Sequence, residues 1–173
     1  MNYMIDLETL GNTPTSVIAS IGVVKFDLKK DVDLSTAEVY TEVVNRESCI
    51  KQGLTMDVST VEWWVKQGES AKRIFGTSGV ELKTVLCQLR DWMRIWEDKE
   101  AQVWSNGANF DIPILENAYK RCGLDIPWKY YQTRCFRTIK ALYPNIKLEN
   151  KNAHTALDDA LYQAEYLCKA IGK

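Results

Sequence analysis

The order of the apolar segments places the tightest constraint on how this chain can fold. Three segments with strand character come first, at residues 3–7, 16–26 and 38–44. They are rich in valine and isoleucine or alternate apolar with polar residues, which is typical of β-strands. Their direct succession predicts an antiparallel meander.

Helical patterns alternate with a short strand in the rest of the chain. Asp57 offers an N-cap for a short helix that runs through Trp63, Trp64 and Gln67. Longer helices are predicted at residues 80–96, 110–122, 133–143 and about 154–171, with a short strand at 101–105. This order predicts an α/β domain with a central mixed sheet flanked by helices. Its first three strands are antiparallel, and its later strands are joined by helical crossovers.

Length and composition fit one soluble domain. The 173 residues, 46% of them hydrophobic, can form a packed core, so we expect residues 1–173 to be a single domain. A net charge of −1 argues against a large basic surface but permits a small nucleic-acid site, because bound cations can supply positive charge at a phosphate.

The cysteines and the apolar runs indicate the compartment. The five cysteines lack zinc-site spacing and are expected to be free thiols in a reducing environment. The sequence has neither a signal-peptide pattern nor an apolar run of about 18 residues, so we expect a cytoplasmic protein with no membrane partner. A homodimer is left open.

Two carboxylates lie in the first predicted strand. Asp6 and Glu8 are two residues apart, so both project from one face of the strand while Leu7 points into the core. Like charges this close are costly in a buried sheet unless cations offset their repulsion. The alternative is a strand end with solvated acids, and the pair alone leaves both interpretations open.

A third carboxylate follows the short strand at residues 101–105. Asn106 begins a turn, Asn109 is expected to cap the next helix, and Asp111 falls in its first turn. Favourable interaction with the helix dipole is the simpler role for Asp111 alone, and metal binding is the alternative.

The only histidine precedes two further acids near the start of the last predicted helix. A histidine beside carboxylates can take a proton from water at neutral pH. Residues four apart share a helix face, which aligns His154 with Asp158. Asp159 can join His154 only if the histidine lies on the segment before the helix, so helical geometry does not choose between the two aspartates.

Together the three pieces resemble the motifs of the DEDDh class of 3′–5′ exonucleases, which has a ribonuclease-H-like fold. Residues 6–9 (Asp-Leu-Glu-Thr) are similar to Asp-x-Glu-Thr, and residues 106–111 (Asn-Gly-Ala-Asn-Phe-Asp) to Asn-x-x-x-Phe-Asp. Residues 154–160 are similar to His-x-Ala-x-x-Asp-Ala, a spacing that selects Asp159. The Trp63–Trp64 pair resembles a small bacterial and phage branch, some members of which are exoribonucleases.

The resemblance implies a two-metal-ion hydrolase that releases nucleoside 5′-monophosphates from the 3′ ends of single-stranded DNA or RNA. Asp6, Glu8, Asp111 and Asp159 would bind two divalent cations, Mg²⁺ or Mn²⁺ in its place, and His154 would deprotonate the attacking water. Neighbouring residues on a helix face different directions, so one tryptophan of the pair is expected to be buried and the other available to bases. The expected substrate contacts are Thr9, Leu10, Asn106, Trp63 and Trp64.

Two other functions are compatible with such a fold. A catalytically silent nucleic-acid-binding module is disfavoured because all four acids and the histidine are present. A ribonuclease-H-like endonuclease is disfavoured by the His-x-Ala-x-x-Asp spacing. The sequence does not distinguish a DNA substrate from RNA, because that choice depends on contacts to one 2′-hydroxyl.

Overall fold

The computed structural model describes residues 1–30, 32, 36–69, 74–75, 78–150 and 155–172. Its strands are β1 Asn2–Thr9, β2 Ile18–Phe26, β3 Glu38–Val43, β4 Gln102–Ser105 and β5 Thr133–Cys135. Its α-helices are α1 Arg46–Lys51, α2 Val58–Val65, α3 Leu82–Met93, α4 Asp111–Arg121, α5 Phe136–Leu142 and α6 Ala156–Ile171.

The strands of the described residues form one mixed sheet in the order β3-β2-β1-β4-β5. Strand β2 pairs antiparallel with both β1 and β3, which confirms the predicted meander. Strand β4 is parallel to β1, and β5 is parallel to β4, as expected of strands joined by crossovers. The predicted α/β fold with a mixed sheet and flanking helices is therefore confirmed.

Side-chain alternation along β1 divides the interior into two cores. Tyr3, Ile5 and Leu7 face a large core that also contains buried residues of α2, α3 and α4. Met4 faces a second core that it shares with α5 and α6. Asp6 and Glu8 continue the Met4 side of the strand, so β1 presents its two carboxylates on the side of the sheet that α6 covers.

Two predicted helices differ most from the structure in their bounds. The helix predicted at residues 133–143 was wrong at its start, because residues 133–135 pair with β4 as the edge strand β5. The helix predicted at 80–96 ends at Met93, because Arg94 adopts a left-handed conformation with φ of 47°. Helix α1, whose Asn45 cap accepts a hydrogen bond from the Ser48 amide, was not predicted.

The end of α4 follows its predicted signal. Gly123 has φ of 67°, and its amide donates to the Lys120 carbonyl at 3.1 Å while the Leu124 amide donates to Tyr119 at 2.9 Å. These two bonds form a Schellman motif.

No helix within the described ranges is long and apolar enough to cross a bilayer. The five cysteines all lie within those ranges, and none of them forms a disulfide there.

Candidate active site

Three carboxylates from β1 and α6 converge at one place. Asp6, Glu8 and Asp159 each offer an oxygen, and these oxygens all lie within 4.8 Å of one another. Strand β1 supplies the first two from one face, and the first turn of α6 supplies the third. The structure thus brings together three of the four acids that the sequence singles out.

The fourth acid lies near this cluster, and its charge raises the pKa values of Asp6 and Glu8. Asp111 is 2% exposed, and its Oδ1 accepts a hydrogen bond from the Leu7 amide of β1 at 3.1 Å. This bond ties the start of α4 to the strand between Asp6 and Glu8. The expected cap at Asn109 was wrong, because α4 begins after Phe110, which makes no side-chain capping bond.

Asp158 and Asp159 have different surroundings. Thr155 is the N-cap of α6, and its hydroxyl accepts a hydrogen bond from the Asp158 amide at 3.3 Å and donates to the Asp158 carboxylate. Asp158 therefore belongs to the cap of the helix, whereas Asp159 joins the carboxylate cluster. His154, which precedes the cap directly in sequence, lies outside the described residues, and its role stays a prediction.

Burial and mutual repulsion raise the pKa values of the clustered acids. Burial raises the pKa of Glu8 to about 8, and the charges of Asp159 and Asp111 add to the rise. Burial also raises the pKa of Asp111 to about 7, against the hydrogen bond from Leu7 and the nearby charge of Arg137. Without a counter-charge, the cluster retains protons that solvated carboxyls would lose.

Asp6 experiences the same effects from several sides. Burial raises its pKa well above the ordinary range, and the charges of Asp111, Glu8 and Asp159 raise it further. A hydrogen bond from Gln163 Nε2 to Asp6 Oδ1, at 2.7 Å, opposes that rise.

The donor set fits a divalent cation. Carboxylate oxygens are the hard ligands that Mg²⁺, Mn²⁺ and Ca²⁺ prefer, and a cation would offset the repulsion that raises these pKa values. The neighbouring Gln163 is 3% exposed, and its Oε1 has no hydrogen-bond partner within the described part of the chain. An acceptor buried beside the acids is suited to a water or ion in the same site.

A cleft of about 410 Å³ opens onto the cluster. It is lined by Asp6, Asn106, Phe136, Lys140, Asn150, Asp159, Tyr162 and Gln163. The Asn150 amide donates a hydrogen bond to Asp159, as Gln163 does to Asp6. Sequence reasoning missed both amides, although Gln163 follows Asp159 by four residues and therefore shares its helix face.

A glycine allows α6 to approach the sheet. Gly22 of β2 is the cross-strand partner of Asp6, and a Cβ at this position would lie 2.3 Å from the Ala156 carbonyl carbon. The start of α6 therefore packs directly on the backbone of β2, which brings Asp159 to the cluster. An isolated glycine within a strand pattern was the available signal, since it often marks a close backbone approach.

The predicted substrate contacts lie in unlike environments. Trp64 is 2% exposed and donates from Nε1 to the Thr9 carbonyl at 2.9 Å, whereas Trp63 is 44% exposed. One tryptophan of the pair is therefore buried and the other exposed, and a contact between Trp63 and a base stays a prediction. Asn106 is half-buried and lines the cleft. Thr9 and Leu10 are buried, and the Leu10 side chain packs in the main core, which gives no support to its predicted contact with a base.

Comparison with known proteins places the chain in the DEDDh class of 3′–5′ exonucleases, which have a ribonuclease-H-like fold, and confirms the class that the three motifs predict. The chain belongs to the family of Rv2179c-like 3′–5′ exoribonuclease domains, whose model matches residues 1–171.

One curated relative is an exodeoxyribonuclease of Enterobacteria phage T4. It is 27% identical over 125 residues, and the match covers 66% of this chain and 53% of the relative. The chain therefore spans about half the length of that relative.

Two solved structures share the fold. Cell-death related nuclease 4 (CRN-4) aligns over 98% of this chain and 63% of its own, with a TM-score of 0.63 and 15% identity. The nuclease domain of 3′hExo, a DEDDh family member bound to rAMP, aligns over 97% of this chain and 90% of its own, with a TM-score of 0.62 and 14% identity.

Proposed function

We propose that this exonuclease domain removes nucleoside 5′-monophosphates from the 3′ ends of single-stranded RNA, in a reaction that depends on divalent cations. The observation that carries the proposal is the convergence of oxygens from Asp6, Glu8 and Asp159 within 4.8 Å. The family match, described as exoribonuclease, extends over residues 1–171, whereas the match to the phage exodeoxyribonuclease covers 66% of the chain. This difference in coverage favours RNA over DNA.

The four acids are the proposed cation ligands. Asp6, Glu8, Asp111 and Asp159 would hold two divalent ions, Mg²⁺ with Mn²⁺ as its substitute, and such ions stabilise charge on the attacking and leaving oxygens of a phosphodiester. The chain's own contribution is to fix the ligands. Gln163 orients the Asp6 carboxylate, and the Leu7 amide ties Asp111 to β1.

His154 is the proposed general base. A neutral imidazole can accept the proton of the attacking water at physiological pH. The proposal rests on the spacing of the third motif, in which the histidine precedes Asp159 by five residues.

Trp63 is the proposed stacking surface for a base near the 3′ end. Its ring lies edge-on to Trp64 with centroids 4.9 Å apart, and the Trp64 Nε1 donates a hydrogen bond to the carbonyl of Thr9, the residue after Glu8. These contacts link an exposed indole to the end of β1 that carries Glu8. Stacking of a base on such a ring contributes about 1–3 kcal/mol.

The test is a cleavage assay on matched RNA and DNA oligonucleotides that carry a 5′ label and either a free or a blocked 3′ end. In Mg²⁺, we expect RNA with a free 3′ end to shorten from that end, and faster than DNA. Cleavage inside the blocked oligonucleotide would assign an endonuclease instead. Binding without cleavage would assign a silent module, and equal rates on RNA and DNA would contradict the substrate preference.

A further inference from the structure

Helix α5 carries two positively charged side chains beside the acid cluster. Arg137 and Lys140 are three residues apart, so they lie on the same side of this helix. Lys140 lines the cleft that contains Asp6 and Asp159. Arg137 lies at the neighbouring turn, where its guanidinium donates to the Asn106 carbonyl at 3.2 Å.

Aromatic rings hold Lys140 at the cleft. Its Nζ lies 5.4 Å from the ring centroid of Tyr162 and 5.9 Å from those of Phe136 and Tyr166. Attraction to ring faces at this range restricts an ammonium group that would otherwise sample solvent freely. The lysine is therefore positioned by α5 and α6 together.

Arg137 is also held by its surroundings. Gly107 has φ of 100°, and a Cβ there would lie 3.4 Å from the Arg137 guanidinium, so the glycine turn gives the arginine room to lie against it. The bond to Asn106 uses one of five guanidinium N–H donors. Among the described residues, neither Arg137 nor Lys140 forms a salt bridge.

The charges around the cleft give Arg137 and Lys140 a role. Four carboxylates near the proposed cleavage site repel a polyanion, and the metal ions bound by these carboxylates would act at the scissile phosphate. The adjoining phosphates of the strand would still approach a chain whose net charge is −1. Positive side chains beside the acids would lower that repulsion and fix the register of the backbone.

We propose that Arg137 and Lys140 bind successive backbone phosphates of the nucleic acid whose 3′ end enters the acid cluster. This inference rests on the proposed function, since it assigns contacts to the same substrate. Arginine can engage phosphate oxygens with two parallel bonds, and lysine acts as a point charge.

Salt dependence of binding tests the inference, because each phosphate contact releases counter-ions. The probe is a 5′-fluorescent hexauridylate with a phosphorothioate as its last linkage, titrated in Ca²⁺ at several KCl concentrations. For Arg137→Gln and for Lys140→Gln, we expect the slope of log K against log salt to become shallower by about 0.7, and by about twice that in the double variant. Affinity at low salt should fall about tenfold in each single variant.

Lys120→Gln is the matched control. It removes the same unit charge from an exposed position at the end of α4, which packs on the other side of the sheet. Its slope should match that of the wild type. If Arg137→Gln and Lys140→Gln behave like this control, the inference is overturned.

Cleavage of the unmodified hexamer in Mg²⁺ separates this inference from the proposed function. Wild-type cleavage together with unchanged slopes in the α5 variants would overturn the phosphate contacts alone. A wild-type protein that does not cleave would overturn the proposed function, while shallower slopes in the variants would still support phosphate binding by α5.

Discussion

At the scale of single residues, Asp6 is a buried acid whose pKa is subject to opposing effects. Burial and the charges of Asp111, Glu8 and Asp159 all raise its pKa, and the hydrogen bond from Gln163 opposes them. Acids in such surroundings lower the stability of a fold unless a cation shares them. The cluster therefore makes physical sense as a binding site and not as part of the scaffold.

The sequence predicted which acids form the cluster but not how they are held. Motif spacing selected Asp159, although helical spacing alone left Asp158 equally eligible. Gln163 was missed because its hydrogen bond to Asp6 joins residues that are far apart in sequence and meet only when α6 packs against β1. Asn150 was missed because it lies on a loop, where no periodic pattern predicts its hydrogen bond to Asp159.

The two neighbouring aspartates should respond differently to the same substitution. We expect Asp159→Asn to lower the cleavage rate by more than about 100-fold, since losing a ligand should cost at least as much as losing a residue that orients one. Asp158→Asn should stay near the wild-type rate and lose about 0.3–1 kcal/mol of stability from a weaker dipole interaction. Initial rates in Mg²⁺ and thermal melts measure both. Equal losses of rate would show that Asp159 has no special role.

His154→Ala should separate proton transfer from cation binding. We expect the rate to fall about 10²–10⁴-fold, the usual effect of removing a general base. Calorimetric titration with Mn²⁺ should give nearly the wild-type affinity, because His154 is not a proposed ligand. A large loss of Mn²⁺ affinity would contradict this role and make the histidine a ligand.

At the scale of elements, most predictions based on local apolar patterns were confirmed, including that of the four-residue strand β4. The three meander strands and the helix now described as Leu82–Met93 have strong apolar patterns, and each lies close to its predicted place. Strand β5 was missed because three residues carry no periodicity, and their conformation is determined by pairing with β4. The position of this edge strand therefore depends on tertiary pairing and not on a local sequence pattern.

The contact between β2 and α6 determines where Asp159 lies. Gly22→Ala would place a methyl group against the Ala156 backbone, so α6 must shift away from the sheet. We expect a loss of about 1–3 kcal/mol from overpacking, together with weaker Mn²⁺ binding and slower cleavage. Denaturant unfolding and calorimetry measure the two effects.

Gly123→Ala is the control for that experiment. Gly123 has φ of 67°, and a methyl carbon added there would meet no described atom within 4 Å, so alanine costs about 1–2 kcal/mol through its left-handed backbone alone. It should leave Mn²⁺ affinity unchanged. Wild-type Mn²⁺ affinity in Gly22→Ala, at a similar loss of stability, would contradict the positioning role of Gly22.

At the scale of the whole molecule, sheet order gathers motifs that are far apart in sequence. Strand β1 lies in the middle of the sheet, with β2 on one side and β4 on the other. The acids of β1 are therefore next to both the start of α4, which follows β4, and the helix α6. The mixed sheet was predictable from the order of elements, but the central place of β1 depends on long-range pairing.

Stability of the whole chain should depend on pH and cations together. The pKa of Glu8 rises from 4.5 to about 8 on folding, and that of Asp111 rises from 3.8 to about 7. The folded state then holds protons that the unfolded state has released. The metal-free protein should therefore lose stability as pH rises from about 4.5 to about 8.

Mg²⁺ should restore stability most strongly at the upper end of that range, because cations bind the deprotonated acids. Denaturant unfolding in EDTA and in Mg²⁺, at about pH 5 and about pH 8.5, measures the effect. Glu8→Gln should flatten the metal-free profile. Metal-free stability that rises with pH across this range would be incompatible with the repulsive cluster.

The central claim is that the carboxylate cluster binds the cations on which 3′-end cleavage depends. The most direct measurement follows shortening of a 5′-labelled RNA during titration with Mn²⁺, in the wild type and in Asp6→Asn, which removes the charge but keeps an acceptor for Gln163. We predict no shortening in EDTA, a wild-type rate that rises with bound Mn²⁺, and neither tight Mn²⁺ binding nor shortening in Asp6→Asn. Wild-type cleavage by Asp6→Asn, or cleavage in EDTA, would contradict the claim.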